Sequence, residues 1–281
     1  STPSNSSAAS DVYKRQIMVF AGRVDLNSVT SPTQKVWAGE GVTPVVLVHT
    51  DWTWSDTDKY LGIKGGKARS SHAHMDAGSF VYDAYGVRWS MDIGRQDYAT
   101  LEVALKALGG NLWTYTQASL RWEVSRLNNF FHSTLTVNDA KHRVEGFATL
   151  EQTINTATEQ GGTFDLSPVL EDQVASAMRT VKIVNDKDLK VIDAIRTRTD
   201  RSAKIRWTMV TPAAPAVEND RIVLTSNGKT MYLTAAEEGG TQIVYKTFST
   251  DPVHSYDDPN PGIYLVGFEA TVPADKWATF T

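Results

Sequence analysis

Short apolar or alternating runs, separated by turn residues, are the feature that most constrains the fold of this chain. Examples are "TPVVLVHT" (43–50), "HSTLTVND" (132–139) and "TQIVYKTF" (241–248), all rich in the β-branched and aromatic residues that suit a pleated sheet. Asn227-Gly228, between "IVLTS" and "KTMYLTA", is a strong hairpin signal. Because strands do not alternate with helical segments, the pattern argues against a parallel sheet.

We therefore predict an all-β protein, a large antiparallel multi-sheet β-sandwich of the supersandwich kind with few short helices. The helix candidates are 96–109 and 113–123. Three parts are expected along the chain, because a polar, Gly-rich stretch within residues 145–175 marks a seam. They are a disordered or foreign tail (1–16), a first sandwich layer carrying the His and Asp motifs (17–150) and a second sheet layer (151–281).

Composition narrows the classes of function. The 281 residues are 41% apolar, enough for a core, and carry a net charge of −4, which gives no support for nucleic acid as a partner. The chain has no cysteine, so a disulfide framework, a thiolate nucleophile and a Cys-based zinc site are excluded. No apolar run approaches the roughly 18 residues that a membrane helix needs, and we expect no membrane partner.

The stretch "SSHAHMDAGSF" (70–80) holds two of the six histidines one residue apart. In an extended segment alternate side chains share a face, so His72, His74 and Asp76 can project to one side. Imidazole and carboxylate are ligands that zinc accepts. The motif alone is weak evidence, since an accidental surface pair is more common than a metal site.

Two further segments add polar groups of the same kinds. Asp92 ends the strand "VRWSMDIG", and "RWEVSRLNNFFHSTLTVND" (121–139) mixes arginines, asparagines and a histidine with aromatic rings. Such a mixture suits an acidic sugar, since guanidinium groups pair with carboxylate or sulfate and amides bind hydroxyls. A polar strand edge explains the residues equally well. The remaining histidines, His49, His142 and His254, are expected at the surface.

Taken together, "KGGKARSSHAHMDAGSFVYDAYGVRWSMDIGRQDY" and "RLNNFFHSTLTVND" resemble the C-terminal β-sheet region of the heparinase II/III family of bacterial polysaccharide lyases. The shared pattern is H-x-H-x-D-x-G-x-F, then a strand ending in Asp-x-Gly, a nearby Tyr, and an N-x-x-x-H-x-T/S-L-x-V strand. The resemblance covers roughly residues 43–281. After residue 150 it is one of general character.

The resemblance implies a lyase that cleaves uronic-acid polysaccharides, such as heparin or heparan sulfate, by β-elimination. The family joins an N-terminal α/α toroid to a C-terminal β-sandwich, with the substrate cleft between them. On this basis His72 and Tyr98 would be catalytic. A structural zinc would be held by three residues, His74, Asp92 and His132.

From the mixture of residue types in 121–139, and from the local excess of basic side chains before it, we expect contacts with the acidic polysaccharide from Arg95, Arg126, Asn128 and Asn129. Nothing in the chain matches the helical toroid, so we expect an isolated C-terminal portion that is inactive alone, from a periplasmic or secreted protein. Two alternatives stay open, a non-catalytic glycan-binding β-sandwich and a cupin-like metalloenzyme.

Overall fold

The computed structural model describes residue 23 and residues 25–281. The expected tail, 1–16, lies outside the described residues. The chain divides into two compact units, Ser1–Thr33 and Gln34–Thr281. In the first unit a 3-10 turn spans Leu26–Ser28. The second unit carries the sheets and all the predicted site residues.

The strands of the second unit form four sheets in which every neighbouring pair is antiparallel. The first sheet is a meander of five strands in chain order, β1 (Val36–Gly39), β2 (Val45–His49), β3 (Tyr60–Lys64), β4 (Phe80–Ala84) and β5 (Val87–Ser90). The second sheet contains β7 (Thr149–Asn155), β8 (Glu159–Asp165), β9 (Val174–Val184), β10 (Asp188–Thr197) and β17 (Trp277–Phe280), in the order β17-β10-β9-β8-β7.

The other two sheets are smaller. The third contains β6 (Leu135–Val137), β11 (Ala203–Thr211), β15 (Val244–Phe248) and β16 (Tyr264–Val272), in the order β15-β16-β11-β6. The fourth contains β12 (Ala214–Val217), β13 (Ile222–Ser226) and β14 (Lys229–Leu233). The hairpin between β13 and β14 turns at Asn227-Gly228, as predicted, and both turn residues have positive φ.

The prediction of one large antiparallel multi-sheet β-sandwich is wrong. The chain is mostly β-structure, but its strands form four small sheets in a ring that resembles a four-bladed β-propeller. A cavity of about 610 Å³ lies between the sheets, and each sheet contributes to its lining. The first sheet contributes Phe80, the second Phe280, the third Trp207 and the fourth Leu233. In two stacked layers, interdigitated side chains would fill such a space.

The seam expected at residue 150 does not separate the sheets along the chain. β6 lies before it and pairs with β11, which lies after it. The third sheet therefore draws on both sides of that position, and the division into layers 17–150 and 151–281 stays a prediction.

One α-helix occurs in the described residues, α1 (Tyr98–Ala107), and it falls inside the first predicted helical segment. The Asp97 side chain caps it by accepting a hydrogen bond from the Thr100 N–H at 3.0 Å. The helix is too short and too polar to span a bilayer. The second predicted segment (113–123) is mostly irregular and ends in the first of three 3-10 turns, which span Leu120–Glu123, Ser125–Leu127 and Asn129–Phe131. A fourth such turn in this unit spans Ser167–Val169.

A second, smaller hydrophobic core lies under α1 and beside the histidine motif. Its fully buried members include Met75, Leu101, Leu105, Trp122 and Leu127. Met75 lies between His74 and Asp76, in the connection from β3 to β4. Burial of its side chain therefore anchors the middle of that irregular connection, and a few fully buried apolar side chains contribute several kcal/mol, at about 1.5–3 kcal/mol each.

Candidate metal and polysaccharide site

Three side chains in the described residues form a donor group suitable for a metal ion. One ligand atom from each of His74, Asp76 and His132 lies within 4.8 Å of the other two. The two imidazole rings are 5.5 Å apart. Two imidazoles and a carboxylate match the nitrogen and oxygen ligands that zinc prefers, so the donor set fits the predicted metal.

Asp92, the third predicted ligand, contacts the same group through His132. The His132 ring donates from Nδ1 to Asp92 Oδ2 at 2.8 Å, and its Nε2 faces the Arg126 carbonyl at 3.1 Å. Burial alone would lower the pKa of His132, but the Asp92 carboxylate outweighs it and the pKa is raised. Burial acts to raise the pKa of Asp92, yet the charge and hydrogen bond of His132 lower it well below its usual range.

His74 is in the opposite electrostatic situation. Burial and the neighbouring His132 lower its pKa to about 4, although Asp76 and Asp92 oppose the shift. His74 is therefore a neutral imidazole near pH 7, which is the form that binds a metal. Asp76 accepts a hydrogen bond from the Lys64 ammonium at 2.7 Å, so each of the two carboxylates near the histidines has a basic partner, His132 being that of Asp92.

Buried neighbours hold the backbone of the histidine motif. The fully buried Arg121 guanidinium donates to the Ala73 carbonyl at 2.8 Å and to the Leu112 carbonyl at 3.1 Å. The Met75 N–H donates to the Leu127 carbonyl at 2.9 Å. Arg121 therefore acts as a positioning residue for the two histidines that flank Ala73, whereas the sequence predicted a contact between the arginines of this segment and a sugar.

His72 does not belong to the donor group. Its backbone has a φ of 62°, in the left-handed region, so the alternation expected of an extended segment does not apply to it. The exposed ring lies 5.6 Å from the Tyr98 ring, in a stacked arrangement, and 5.2 Å from the Trp113 ring. The His72 N–H donates to the Tyr115 hydroxyl at 3.2 Å. The structure thus brings the two predicted catalytic residues, His72 and Tyr98, together.

A hollow of about 530 Å³ adjoins this aromatic group, lined by Arg69, Ser70, Ser71, Trp113, Tyr115 and Thr116. It offers several hydroxyls, two rings and the Arg69 guanidinium, which also pairs with the exposed Glu145 carboxylate. Such groups suit an acidic sugar. Trp113 and Tyr115 were missed by sequence reasoning. The signal available was "LWTYTQ", whose alternating rings follow closely after α1.

The four predicted polysaccharide contacts have different surroundings. Arg95 is exposed. The Arg126 guanidinium donates to the Asn260 side chain at 3.0 Å and to the carbonyls of Arg95 and Pro259 at 3.1 Å each, so it is already used in holding a loop.

Asn128 and Asn129 are buried, and the structure does not bring either to the surface. The Asn128 amide donates to two carbonyls, and its oxygen accepts from the Phe130 N–H. The Asn129 amide donates to Thr136 Oγ1 and the Ala140 carbonyl, and its oxygen accepts from the His142 N–H. Both side chains have a structural role here, because their hydrogen-bonding groups are satisfied inside the protein.

Comparisons with known proteins agree on one family. The model of the heparinase II/III-like C-terminal domain matches residues 45–272. No curated protein sequence matches this chain. The sequence resemblance to the heparinase II/III family is therefore confirmed by the family model.

Solved structures share the fold. A mutant of the heparan sulfate lyase HepC from Pedobacter heparinus matches 98% of this chain and 40% of that chain, with a TM-score of 0.64 and 14% identity. A heparinase III with methylated lysines, the BT4657 gene product, matches 96% of this chain and 39% of its own, with a TM-score of 0.66 and 13% identity.

A further heparinase III structure matches 89% of this chain and 36% of its own, with a TM-score of 0.61 and 14% identity. At such identities the likeness concerns the fold, and the chain spans about two fifths of the length of the first two structures. With its match to the family model over residues 45–272, this chain belongs to the heparinase II/III-like family and represents its C-terminal domain.

Proposed function

We propose that this chain is the C-terminal part of a polysaccharide lyase that cleaves a uronic-acid polysaccharide, of the heparin or heparan sulfate kind, by β-elimination. The observation that carries the proposal is the exposed His72, stacked beside Tyr98 and flanked by the Arg69 hollow, on a backbone anchored by buried groups. Family membership and the heparan sulfate lyase among the similar structures support the same class of substrate.

The reaction needs groups of these types. A base removes the C5 proton of the uronate, the C4–O bond breaks, a C4=C5 double bond forms, and an acid protonates the departing oxygen. The proton becomes removable when the neighbouring carboxylate charge is neutralised. In the proposal, His72 and Tyr98 contact the reacting sugar, while Arg69 and Arg95 attract its anionic groups. A helical domain supplies the opposite wall, so we expect the isolated chain to be inactive.

We infer that zinc, held by His74, His132 and one carboxylate, has a structural role. When bound, the ion would cross-link separate chain segments and fix the connection that carries His72. Asp92 is the predicted carboxylate, whereas Asp76 belongs to the donor group that the geometry selects. Both carboxylates have a basic partner, Lys64 for Asp76 and His132 for Asp92, so substitution of each in turn decides between them.

An activity assay tests the proposal, with heparin, heparan sulfate and alginate as substrates and the ultraviolet absorbance of the unsaturated product as readout. We expect no product from the 281-residue chain, and product from the chain joined to the helical domain that the proposal requires. Tyr98→Phe should reduce this activity by about a hundredfold or more, the loss typical of an acid–base group. The control Tyr232→Phe, on exposed β14, should not.

Product formed by the chain alone would contradict the expected inactivity. Failure of the extended protein to cleave any of the three polymers would contradict the lyase proposal, and retention of the polymer without cleavage would favour the glycan-binding alternative. Elemental analysis tests the metal. His74→Ala should lose zinc and melt at a lower temperature, and comparison of Asp76→Asn with Asp92→Asn identifies the third ligand. Zinc-free wild-type protein would rule the metal out.

A periplasmic or secreted location is part of the same proposal, because a glycosaminoglycan-like polymer is met outside the cytoplasm.

A further inference from the structure

An aromatic surface lies on the first sheet that the proposed lyase site does not use. We define the aromatic platform as Trp37, His49, Trp52 and Trp54. The Trp52 ring stacks on His49 at 4.0 Å, Trp54 lies 4.7 Å from His49, and Trp37 meets the edge of Trp52 at 4.6 Å. Trp54 is 76% exposed. A large indole held open to solvent beside two others marks a recognition surface more often than a chance exposure.

The platform has a rigid base. His49 is buried, and its Nδ1 lies 2.8 Å from Asp58 Oδ2. The other oxygen of Asp58 accepts from the Thr50 N–H at 3.1 Å, which fixes the start of the loop between β2 and β3. Trp52 donates from Nε1 to the Gln34 carbonyl at 2.7 Å. The rings are thus preorganised, and a ligand would not have to order them on binding.

Two of the tryptophans have an unfavourable backbone. The φ angles of Trp52 and Trp54 are 59° and 56°. For a bulky residue the left-handed region costs about 1–2 kcal/mol and is rarely occupied without a reason. Glycine would fit both positions without strain, so the observed residues point to a use for their rings.

The polar groups around the rings indicate the chemistry of the ligand. The loop presents three hydroxyls, on Thr53, Ser55 and Thr57, grouped around the Asp51 carboxylate. Its lysine, Lys59, is buried, donates to the Thr57 carbonyl and offers no free cation. A second ammonium at the loop, that of Lys229, is paired with Asp56 at 2.9 Å. A surface with rings and hydrogen-bonding oxygens, on which these two lysines already have partners, suits a neutral, hydroxyl-rich ring and disfavours a sulfated one.

The platform is separate from the histidine site. Tyr60, at one end of β3, lies 4.9 Å from His49 of the platform. Lys64, at the other end of β3, binds Asp76 of the donor group. Because Lys64 follows Tyr60 by four residues, the two ends of β3 are roughly 13 Å apart along the strand, at about 3.3 Å per residue.

We propose that the aromatic platform is a second carbohydrate-binding site, which takes a neutral pyranose unit by stacking its apolar C–H face on the exposed Trp54 indole. The loop hydroxyls and Asp51 bind the sugar hydroxyls at the rim. The proposal does not depend on lyase activity, since it concerns binding of a different sugar class at a different end of β3.

Titration of the 281-residue chain tests it. Hexasaccharides of glucose, xylose, mannose and N-acetylglucosamine are added at millimolar concentration, beside a heparin hexasaccharide, while the indole N–H signals are followed by NMR. At least one neutral hexasaccharide should shift the Trp52 and Trp54 signals, and the heparin fragment should not. Trp54→Gly, which suits the positive φ and so keeps the fold, should weaken binding about tenfold, or ~1.4 kcal/mol.

A matched control is Trp277→Ala, which removes another exposed indole (61%) from β17 and should leave binding unchanged. The thermal melting temperature of each variant shows whether its fold is intact. The proposal is overturned if no neutral hexasaccharide moves the platform signals, if Trp54→Gly binds as tightly as the wild type, or if Trp277→Ala loses as much. These binding results do not depend on the lyase assay, so its failure would not contradict the proposed carbohydrate site.

Discussion

A buried histidine outside both sites links the protein's stability to pH. His142 is only 2% exposed, and its Nε2 lies 2.8 Å from the Leu135 carbonyl, to which it donates. Its Nδ1 has no hydrogen-bond partner in the described residues. The neutral tautomer with a proton on Nε2 satisfies this environment. A second proton on Nδ1 would be a buried charge without an acceptor.

The lowered pKa of His142 fixes the direction in which stability changes with pH. Burial lowers the pKa of His142 from 6.5 to about 4, with His132 adding to the shift and the Leu135 carbonyl opposing it. The unfolded chain therefore takes up the proton first, and the stabilisation present above pH 6.5 is lost as the pH falls from 6.5 to about 4. The full loss is about 3 kcal/mol, at about 1.4 kcal/mol per pH unit.

Urea unfolding measured across that pH range checks the prediction. His142→Gln keeps a donor for the Leu135 carbonyl but does not titrate, so its free energy of unfolding should fall less steeply with decreasing pH. Parallel curves for wild type and variant would show that the histidine is not the cause.

Residue types were easier to predict than residue environments. His74 and His132 were identified from the sequence, and the structure brings their rings together. The expectation of a surface position was wrong for His49 and His142, which are buried. A polar residue in a turn-like stretch is usually exposed, and only long-range packing reveals the exceptions.

At the scale of elements, the connection between β3 and β4 owes its shape to Gly78. This residue has a φ of 78°, its N–H donates to the Lys64 carbonyl, and a Cβ there would lie 2.8 Å from Leu166 Cδ1. The glycine of the H-x-H-x-D-x-G pattern is therefore required for two reasons, its positive φ and the close approach of the Leu166 side chain.

A matched pair of substitutions separates the two reasons. Gly109, just after α1, has a nearly identical φ of 79° but open space around it. Gly109→Ala should cost about 1 kcal/mol of unfolding free energy from the strained backbone alone. Gly78→Ala should cost about 3 kcal/mol, because the crowding adds to the strain. Equal losses in thermal or urea unfolding would mean that the contact with Leu166 relaxes freely.

Strands and turns were the best-predicted elements. The alternating runs and the Asn227-Gly228 hairpin are local signals, and the structure contains the strands that they indicate. The second helix candidate (113–123) was largely wrong. The backbone of this segment is irregular and ends in a short 3-10 turn, and this conformation buries apolar side chains such as Trp122. Tertiary packing therefore overrides the local preference for a helix.

At the scale of the whole molecule, one buried ion pair ties distant parts together. Arg179 of β9 and Asp193 of β10 are almost completely buried and form two parallel hydrogen bonds at 2.7 and 2.9 Å. The same guanidinium donates to the carbonyls of Gly78 and Ser133, which lie just before β4 and β6. Each of the three guanidinium nitrogens thus has an acceptor, as a buried charge requires.

Loss of the carboxylate should be costly. Asp193→Asn leaves the Arg179 charge buried without its counter-ion, and we expect a loss of about 3–5 kcal/mol in the free energy of unfolding. The control is Asp275→Asn, which breaks the exposed pair with Arg196 of β10 and should cost less than about 1 kcal/mol. Similar losses for the two variants in urea unfolding would contradict the assigned role.

The arrangement of the sheets was beyond the reach of sequence reasoning. Alternation of apolar and polar residues identifies a strand and its buried face, but it does not identify the strands with which it pairs. The pairing of β6 with β11 joins residues about 70 positions apart, and nothing local in "STLTVND" specifies it. A sandwich and a ring of four small sheets can therefore share one pattern of alternation.

The contacts of Arg179 also have a consequence for how the molecule opens. The Arg179 side chain contacts the second sheet, the connection between β3 and β4, and the residues just before β6. If one of these regions unfolded locally, the buried charge would lose part of its hydrogen bonding, so we expect the regions to unfold together. In native-state hydrogen exchange, amides near Gly78 should open with those of β9 and β10, as a single cooperative unit. The irregular connection beside the candidate site would then be as long-lived as the sheet behind it.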